Sequence, residues 1–235
     1  MLQRKSFYLV LTALIFGALR LWAGDNASFV DLGFSPDGKI YMFAQYGVEA
    51  VTLRPWADLA VVDVPRNNFV DGGKVSYTHT SPVENGQDGS GALYRLISQT
   101  GSLASRYGVN FLLQGHPLYI ALEGSDRTGE GGEVIEFRDF QAGASYRATL
   151  IPTLEGSGSS LKSSFFINLE KTGRDGSRRT YTVGSPHFKR PLISSYRIRR
   201  VMTAPKEDSL IFVVEMKKPG ESGFDIRYMA EALKL

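Results

Sequence analysis

A strand–turn–strand unit near the start of the chain places the strongest constraint on its fold. Residues 29–34, 40–46 and 56–64 are rich in β-branched and aromatic side chains, which favour strands. Ser35-Pro36-Asp37-Gly38 separates the first two runs. Proline presets φ, aspartate bonds back to the backbone and glycine accepts a positive φ, so this tetrapeptide is typical of a tight turn. The stretch 29–64 therefore predicts an antiparallel hairpin that continues into a third strand.

Most of the remaining chain shows the same two-residue period. Asp175-Gly176 stands between two alternating runs and predicts another hairpin turn. Further alternating or buried-type runs occupy residues 118–122, 133–140, 146–151, 165–169, 178–183, 196–201, 209–215 and 223–228. This pattern indicates a mainly β, antiparallel chain built of blade-like (propeller-like) sheets, with a β-sandwich as the alternative.

One stretch departs from the two-residue period. Apolar side chains recur between Leu93 and Tyr107 at the spacing of a single helical face. Gly108 follows at the position where helices commonly end in a left-handed residue. These signals predict one inserted α-helix near residues 91–107.

Residues 1–23 have the organisation of a signal peptide. Arg4 and Lys5 precede an apolar run at 7–19, and Ala23 offers a small residue for cleavage. The run is shorter than the ~20 residues of a membrane span. We expect export to the periplasm or the exterior, a single domain at 24–235 and no stable membrane span after processing. An uncleaved N-terminal anchor is the alternative.

The charge distribution argues against a nucleic-acid binder. The whole chain has a formal charge of +3, but residues 1–23 contribute three basic and no acidic side chains. Residues 24–143 then carry a net −7 and residues 144–235 a net +7. Since a neutral mature chain lacks the broadly basic character of nucleic-acid proteins, the two halves are interpreted as complementary surfaces within one fold.

The hairpin motif and two later segments carry family resemblances. Phe34 to Lys39, Phe43 and residues 59–63 resemble one blade of a TolB-like β-propeller. Ala204, Pro205 and Phe212 repeat Ser35, Pro36 and Phe43 at a constant offset, which predicts blade-like units at 29–64 and 201–228 that share a core through Phe43 and Phe212. Residues 29–39 with Tyr46-Gly47, and residues 183–191, 196–198 and 209–213, resemble an uncharacterised family of predicted secreted bacterial proteins. That resemblance implies export and supplies no activity and no catalytic residues.

Catalytic and metal-binding motifs are sparse. The chain has no cysteine and three separated histidines, which disfavours a zinc site, and it lacks nucleophile-elbow and phosphate-loop motifs. Glu123, Asp126 and Glu130 lie in an acidic, glycine-rich loop and are weak candidates for calcium ligands. No cofactor is predicted.

A basic, aromatic-rich stretch is the best candidate for a binding surface. Basic strands with interleaved aromatic side chains can hold an anionic polymer or an acidic envelope protein. The candidate residues are Arg178, Arg179, Tyr181, Lys189, Arg190, Tyr196, Arg197 and Arg199. Arg197 and Arg199 alternate with Tyr196 and Ile198, so we expect both arginines on a solvated strand face.

The sequence thus favours an exported, non-enzymatic interaction protein of unknown ligand. A secreted glycan hydrolase that uses Glu123, Asp126 or Glu133 is the alternative, because paired carboxylates are the usual catalysts of glycoside hydrolysis.

Overall fold

The structure is a computed structural model that describes residues 24–122, 128–129, 132–206, 208–220 and 223–235. Over these residues the strands pair into three open antiparallel sheets. The prediction of a mainly β, antiparallel chain is therefore confirmed.

The N-terminal sheet contains strands β1 (Ser28–Phe34), β2 (Ile40–Val48), β3 (Pro55–Asp63) and β4 (Asn68–Thr78) in sequential order. The predicted turn joins β1 to β2. The Gly38 amide donates to the Ser35 carbonyl at 2.9 Å, and Gly38 has φ +72°. The first and second hairpins thus form where the turn and strand signals place them.

Two short helices, α1 (Ser90–Gln99) and α2 (Gly101–Arg106), follow the N-terminal sheet. The prediction of one helix near 91–107 is wrong in this respect. Thr100 interrupts the helix, and its hydroxyl donates to the Leu96 carbonyl at 2.8 Å, a local bond that competes with regular helix geometry. Leu93 and Leu96 pack with Met42 and Leu59 on one face of the N-terminal sheet.

A five-stranded sheet is formed by the middle of the chain. It contains β6 (Thr128–Gly129), β7 (Gly132–Asp139), β8 (Ala144–Glu155), β9 (Lys162–Thr172) and β10 (Arg178–Pro191), arranged in sequential order with β10 at one edge. Gly176, with φ +79°, lies in the turn between β9 and β10, as Asp175-Gly176 predicts.

The C-terminal sheet contains β5 (His116–Ile120), β11 (Ser195–Thr203), β12 (Ser209–Gly220) and β13 (Gly223–Lys234). The strands lie in the order β13-β12-β11-β5. The last strand of the chain, β13, is therefore an edge strand.

Strand β12 is buried on both faces. Ile211 and Val213 belong to a core shared with Phe43 of the N-terminal sheet. Phe212 points the other way, into a core shared with Phe165 and other residues of the five-stranded sheet. The C-terminal sheet therefore lies between the other two sheets.

This arrangement corrects one expectation about the repeat. Segments 29–64 and 201–228 do contribute to one core, but Phe43 meets the face of β12 that carries Ile211 and Val213, not the face of Phe212. Successive residues of a strand point to opposite faces, so the one-residue offset moves Phe212 to the other core.

Candidate functional site

A groove lies where the three sheets expose their edges on the same side of the molecule. Strands β4, β13 and β10 each end a sheet, and side chains from all three line the groove. Its volume is about 1150 Å³, comparable with the upper end of the ~300–1,000 Å³ typical of small-molecule sites. The groove is therefore large enough to enclose an elongated ligand.

Half-buried apolar side chains form much of the groove wall. Met216, Met229 and Leu233 pack against the core of the five-stranded sheet, and Phe69 packs against the core of the N-terminal sheet. The groove therefore follows the margins of two hydrophobic cores. An apolar ligand lying there would extend both cores.

A small polar cluster lies in the groove. Glu231 is held from two sides: its Oε2 accepts a hydrogen bond from Asn67 Nδ2 at 2.6 Å, and its Oε1 lies 3.4 Å from Arg190 Nη2. The Glu231 and Arg190 side chains are only 8% and 12% exposed. A side chain at Gly184 would place its Cβ 3.5 Å from the Glu231 carboxylate. Two strands, β10 and β13, and one turn thus converge on one carboxylate.

Burial dominates the electrostatics of this cluster. It raises the pKa of the Glu231 carboxyl, and the Asn67 hydrogen bond and the Arg190 charge oppose that rise. Arg190 is itself positioned by aromatic rings. Its guanidinium lies 4.8 Å from the Phe165 ring and 4.7 Å from the Phe188 ring. The cation is consequently oriented before any ligand arrives.

Side chains cap the edge of β13 inside the groove. The Tyr228 amide donates to Gln45 Oε1 at 2.7 Å, and the Ala232 amide donates to Asn67 Oδ1 at 2.6 Å. An exposed strand edge is a template for pairing with another chain. At these two positions the N-terminal sheet already supplies the hydrogen-bond acceptors.

Positive charge predominates among the groove-lining side chains. The cations are Arg66, Lys74, Arg190, Arg227 and Lys234, and the carboxylates are Asp58 and Glu231. Lys74 forms no ion pair with any described residue, and its Nζ lies 3.9 Å from the centroid of the Phe69 ring. The other four cations already pair with carboxylates: Arg66 with Asp63, Arg190 with Glu231, Arg227 with Asp25 and Lys234 with Asp208. Lys74 is therefore the lining cation that can attract an anionic group next to apolar surface.

A buried contact network supports the end of the groove near Arg227. Asp25 Oδ2 pairs with Arg227 Nη2 at 2.6 Å, and Asp25 Oδ1 accepts a hydrogen bond from Trp56 Nε1 at 3.0 Å. The Arg227 guanidinium also lies 4.0 Å from the Trp56 ring centroid. We call Asp25, Trp56 and Arg227 the N-terminal clasp. It fixes the first described residues against β3 and β13.

The structure separates the basic residues that the sequence groups together. Arg190 lines the groove, whereas Lys189 is exposed and pairs with Glu155 at 2.6 Å. Arg178 and Arg179 are exposed near the opposite end of β10. Since they are adjacent in a strand, they point to opposite faces of the sheet. They do not form one surface with Arg190.

Two of the predicted binding residues are turned inward. Arg197 Nε lies 3.6 Å from Glu133 Oε1, and Arg199 Nε lies 3.0 Å from Glu215 Oε2. Arg199 is the extra residue of a β-bulge between Ile198 and Arg200, so simple alternation misplaces it. The expectation that Arg197 and Arg199 lie on a solvated face is wrong.

The two aromatic candidates belong to the hydrophobic interior. Tyr196 is buried and shares a hydrogen bond of 2.7 Å with Ser163, and Tyr181 packs against the same core. Ion pairs also join the two oppositely charged halves, including Asp25 with Arg227 and Glu133 with Arg197. Internal complementarity therefore accounts for part of the charge asymmetry.

Of the proposed catalytic and calcium-binding carboxylates, Glu133 is the one that the structure describes. Glu133 is buried, and its Oε2 accepts the Ile198 amide at 2.6 Å, where β11 extends beyond β5. Glu123, Asp126 and Glu130 lie outside the described residues. The described residues contain no group of three or more potential metal-ligating side chains of the His, Cys, Asp and Glu types.

The sequence comparison bears on where the chain functions. Residues 42–234 match the model of a family described as "Predicted secreted protein (DUF2259)". The chain belongs to this predicted secreted protein family. Searches of curated proteins and of solved structures give no match. In this family member, no helix within the described ranges is both long and apolar enough to cross a membrane.

Proposed function

We propose that the protein is an exported, non-enzymatic binding protein and that the groove between β4, β13 and β10 is its ligand site. The observation that carries the proposal is the groove itself. It combines a volume of about 1150 Å³ with mixed apolar and cationic walls. Large concave sites with a few convergent polar groups are the usual form of ligand sites. The blade-like interpretation agrees with a site at sheet edges, where ligands can enter without disturbing the cores.

A hydrolase remains the second candidate function, with different residues from those the sequence suggests. Glu231 and Asp58 both line the groove, and the raised pKa of Glu231 would suit a general acid. Both oxygens of Glu231 nevertheless face fixed partners, Asn67 and Arg190. Because both of its oxygens already have partners, Glu231 is better suited to stabilising the fold than to transferring a proton to a substrate. Binding is therefore the preferred proposal.

A blocking substitution tests whether the groove binds ligands. Ser76 is exposed on β4 and lines the groove, so Ser76→Trp should fill part of it. Thr78→Trp is the matched control, because Thr78 is exposed on the same face of β4 but does not line the groove. Amide chemical shifts of residues 24–235 would be recorded with a panel of alkyl carboxylates, alkyl glycosides and short peptides.

The proposal expects one probe class to shift the amides of Asn67, Gly184 and Ala230 in the wild type and the Thr78→Trp variant. Ser76→Trp should suppress those shifts. Shifts confined to other surfaces, or no shift with any class, would overturn it. Glycoside cleavage that is abolished by Glu231→Gln would instead establish the hydrolase.

A further inference from the structure

We propose, on the basis of the binding function above, that the ligand is an anionic amphiphile: an alkyl chain that carries a negatively charged head group. The chain lies along the apolar groove wall, and the head group meets Lys74. Three features of the groove lead to this class of ligand.

The first feature is the apolar wall. Met216 and Met229 contribute unbranched thioether side chains beside Leu233, and all three are only partly buried. Methionine adapts its shape to irregular or flexible apolar groups. A saturated chain would remove these side chains from water without needing hydrogen-bond partners, which makes it a better occupant than a sugar.

The second feature is the position of the free cation. Lys74 Nζ lies 3.9 Å from the centroid of the Phe69 ring, and both residues line the groove. Charge and apolar surface therefore meet at one point on β4. A ligand with a head group next to its chain matches this arrangement. The other lining cations already pair with carboxylates, so the charge of Lys74 is what favours a negative head group.

The third feature disfavours an extended peptide. A peptide that added to the β13 edge would need its backbone hydrogen bonds. The amides of Tyr228 and Ala232 already donate to Gln45 and Asn67. Pairing would therefore require the buried Gln45 side chain and the half-buried Asn67 side chain to leave their positions, whereas an alkyl chain leaves these hydrogen bonds intact.

Calorimetric titration of residues 24–235 with monocarboxylates from octanoate to palmitate tests the proposal. Primary alcohols of equal chain length serve as the uncharged series. All probes are kept below the concentration at which they form micelles. We expect the Kd to tighten about fourfold per added CH₂ until the wall is covered. Carboxylates should bind more tightly than the alcohols, and Ser76→Trp should weaken both series while Thr78→Trp should not.

Lysine substitutions test the head-group contact. Lys74→Gln should weaken carboxylate binding about twofold to fivefold, as expected for an exposed ion pair, and leave alcohol binding unchanged. Lys39→Gln is the control, since Lys39 is an exposed lysine of the same part of the chain outside the groove lining. Equal affinity for carboxylates and alcohols, or unchanged binding in Ser76→Trp, overturns the proposal.

The amide-shift experiment separates this inference from the function on which it rests. If glycosides or peptides shift the groove amides and alkyl carboxylates do not, the amphiphile is wrong and the binding function stands. If no probe class reaches the groove, both proposals fail.

Discussion

Asn67 joins Glu231 and the edge of the C-terminal sheet with a single side-chain amide. Its Nδ2 donates to Glu231 Oε2 and its Oδ1 accepts the Ala232 amide, both at 2.6 Å. Asn67 has φ +48°, a left-handed conformation that asparagine tolerates better than most residues. One turn residue thus caps a strand and positions the groove carboxylate.

Removal of the Asn67 side chain should destabilise the fold. Asn67→Gly accepts the positive φ and loses both hydrogen bonds, so we expect a loss of about 1–3 kcal/mol in the free energy of unfolding. Asn67→Ala should lose about 1 kcal/mol more from backbone strain. Urea denaturation followed by circular dichroism measures both. The control is Asn68→Ala, which should lose less, because the Asn68 side chain accepts a hydrogen bond from the adjacent Phe69 amide and does not join two sheets.

The raised pKa of Glu231 predicts a specific pH dependence. A carboxyl whose pKa is higher in the folded protein binds its proton more tightly there, so its contribution to stability falls as the pH rises from about 4.5 through the raised folded pKa. The stability of the wild type relative to Glu231→Gln should therefore increase as the pH is lowered from 7 towards 5. Urea midpoints at several pH values provide the measurement.

A matched exposed carboxylate controls for general effects of pH. Glu155 is half exposed and pairs with Lys189, so the difference between the wild type and Glu155→Gln should vary less over the same range. If the Glu231→Gln difference stays constant between pH 7 and 5, burial does not raise the pKa of this carboxyl.

The N-terminal clasp should contribute more to stability than an exposed ion pair. Asp25→Ala leaves Arg227 and Trp56 without their shared acceptor, and we expect a loss of about 2–3 kcal/mol in the free energy of unfolding. Glu155→Ala, which removes an exposed pair, should cost about 0–1 kcal/mol. Comparable losses in the two variants would mean that the clasp is no stronger than a surface contact.

Double-mutant cycles can test the two faces of β12. Phe43→Leu combined with Ile211→Val should depart from additivity by about 0.5 kcal/mol or more, because both residues belong to one core. Phe43→Leu combined with Phe212→Leu should be additive within about 0.3–0.5 kcal/mol, since Phe212 lies in the other core. Coupling between Phe43 and Phe212, with additivity between Phe43 and Ile211, would instead support the contact that the sequence repeat predicts.

Processing of the N-terminus is open to a direct measurement. The basic start and short apolar run predict cleavage near Ala23. The intact mass of the protein purified from its native host should correspond to a chain that begins close to Gly24. A mass that includes residues 7–19 would instead favour the retained anchor.

The local elements could be predicted from sequence because their signals are local. The turn at Ser35 to Gly38 and the hairpin at Asp175-Gly176 depend on residues that adjoin one another. The sequence does not predict the break at Thr100, because the helical period continues across it. Threonine is compatible with a continuous helix and with an interrupted one, and the hydrogen bond from its hydroxyl to the Leu96 carbonyl is visible only in the structure.

The groove could be predicted only in part. Arg190 stands out in a basic stretch, but Glu231 and Asn67 carry no motif and are 164 residues apart in the chain. Their contact depends on how the sheets stack. Arg197 and Arg199 show the opposite error, because an alternating pattern predicts a solvated face only when the sheet has one. Here the two side chains instead pair with the buried carboxylates Glu133 and Glu215.

The central position of β12 also bears on the order in which the protein can fold. Residues 209–220 supply side chains to both cores that flank the C-terminal sheet, yet they follow every strand of the two neighbouring sheets in the chain. Neither core can be completed before β12 is synthesised, because contacts between distant segments form only when both segments are present. Both cores therefore stay incomplete until residues 209–220 have been synthesised, which delays burial of the surfaces that Phe43 and Phe165 share with β12.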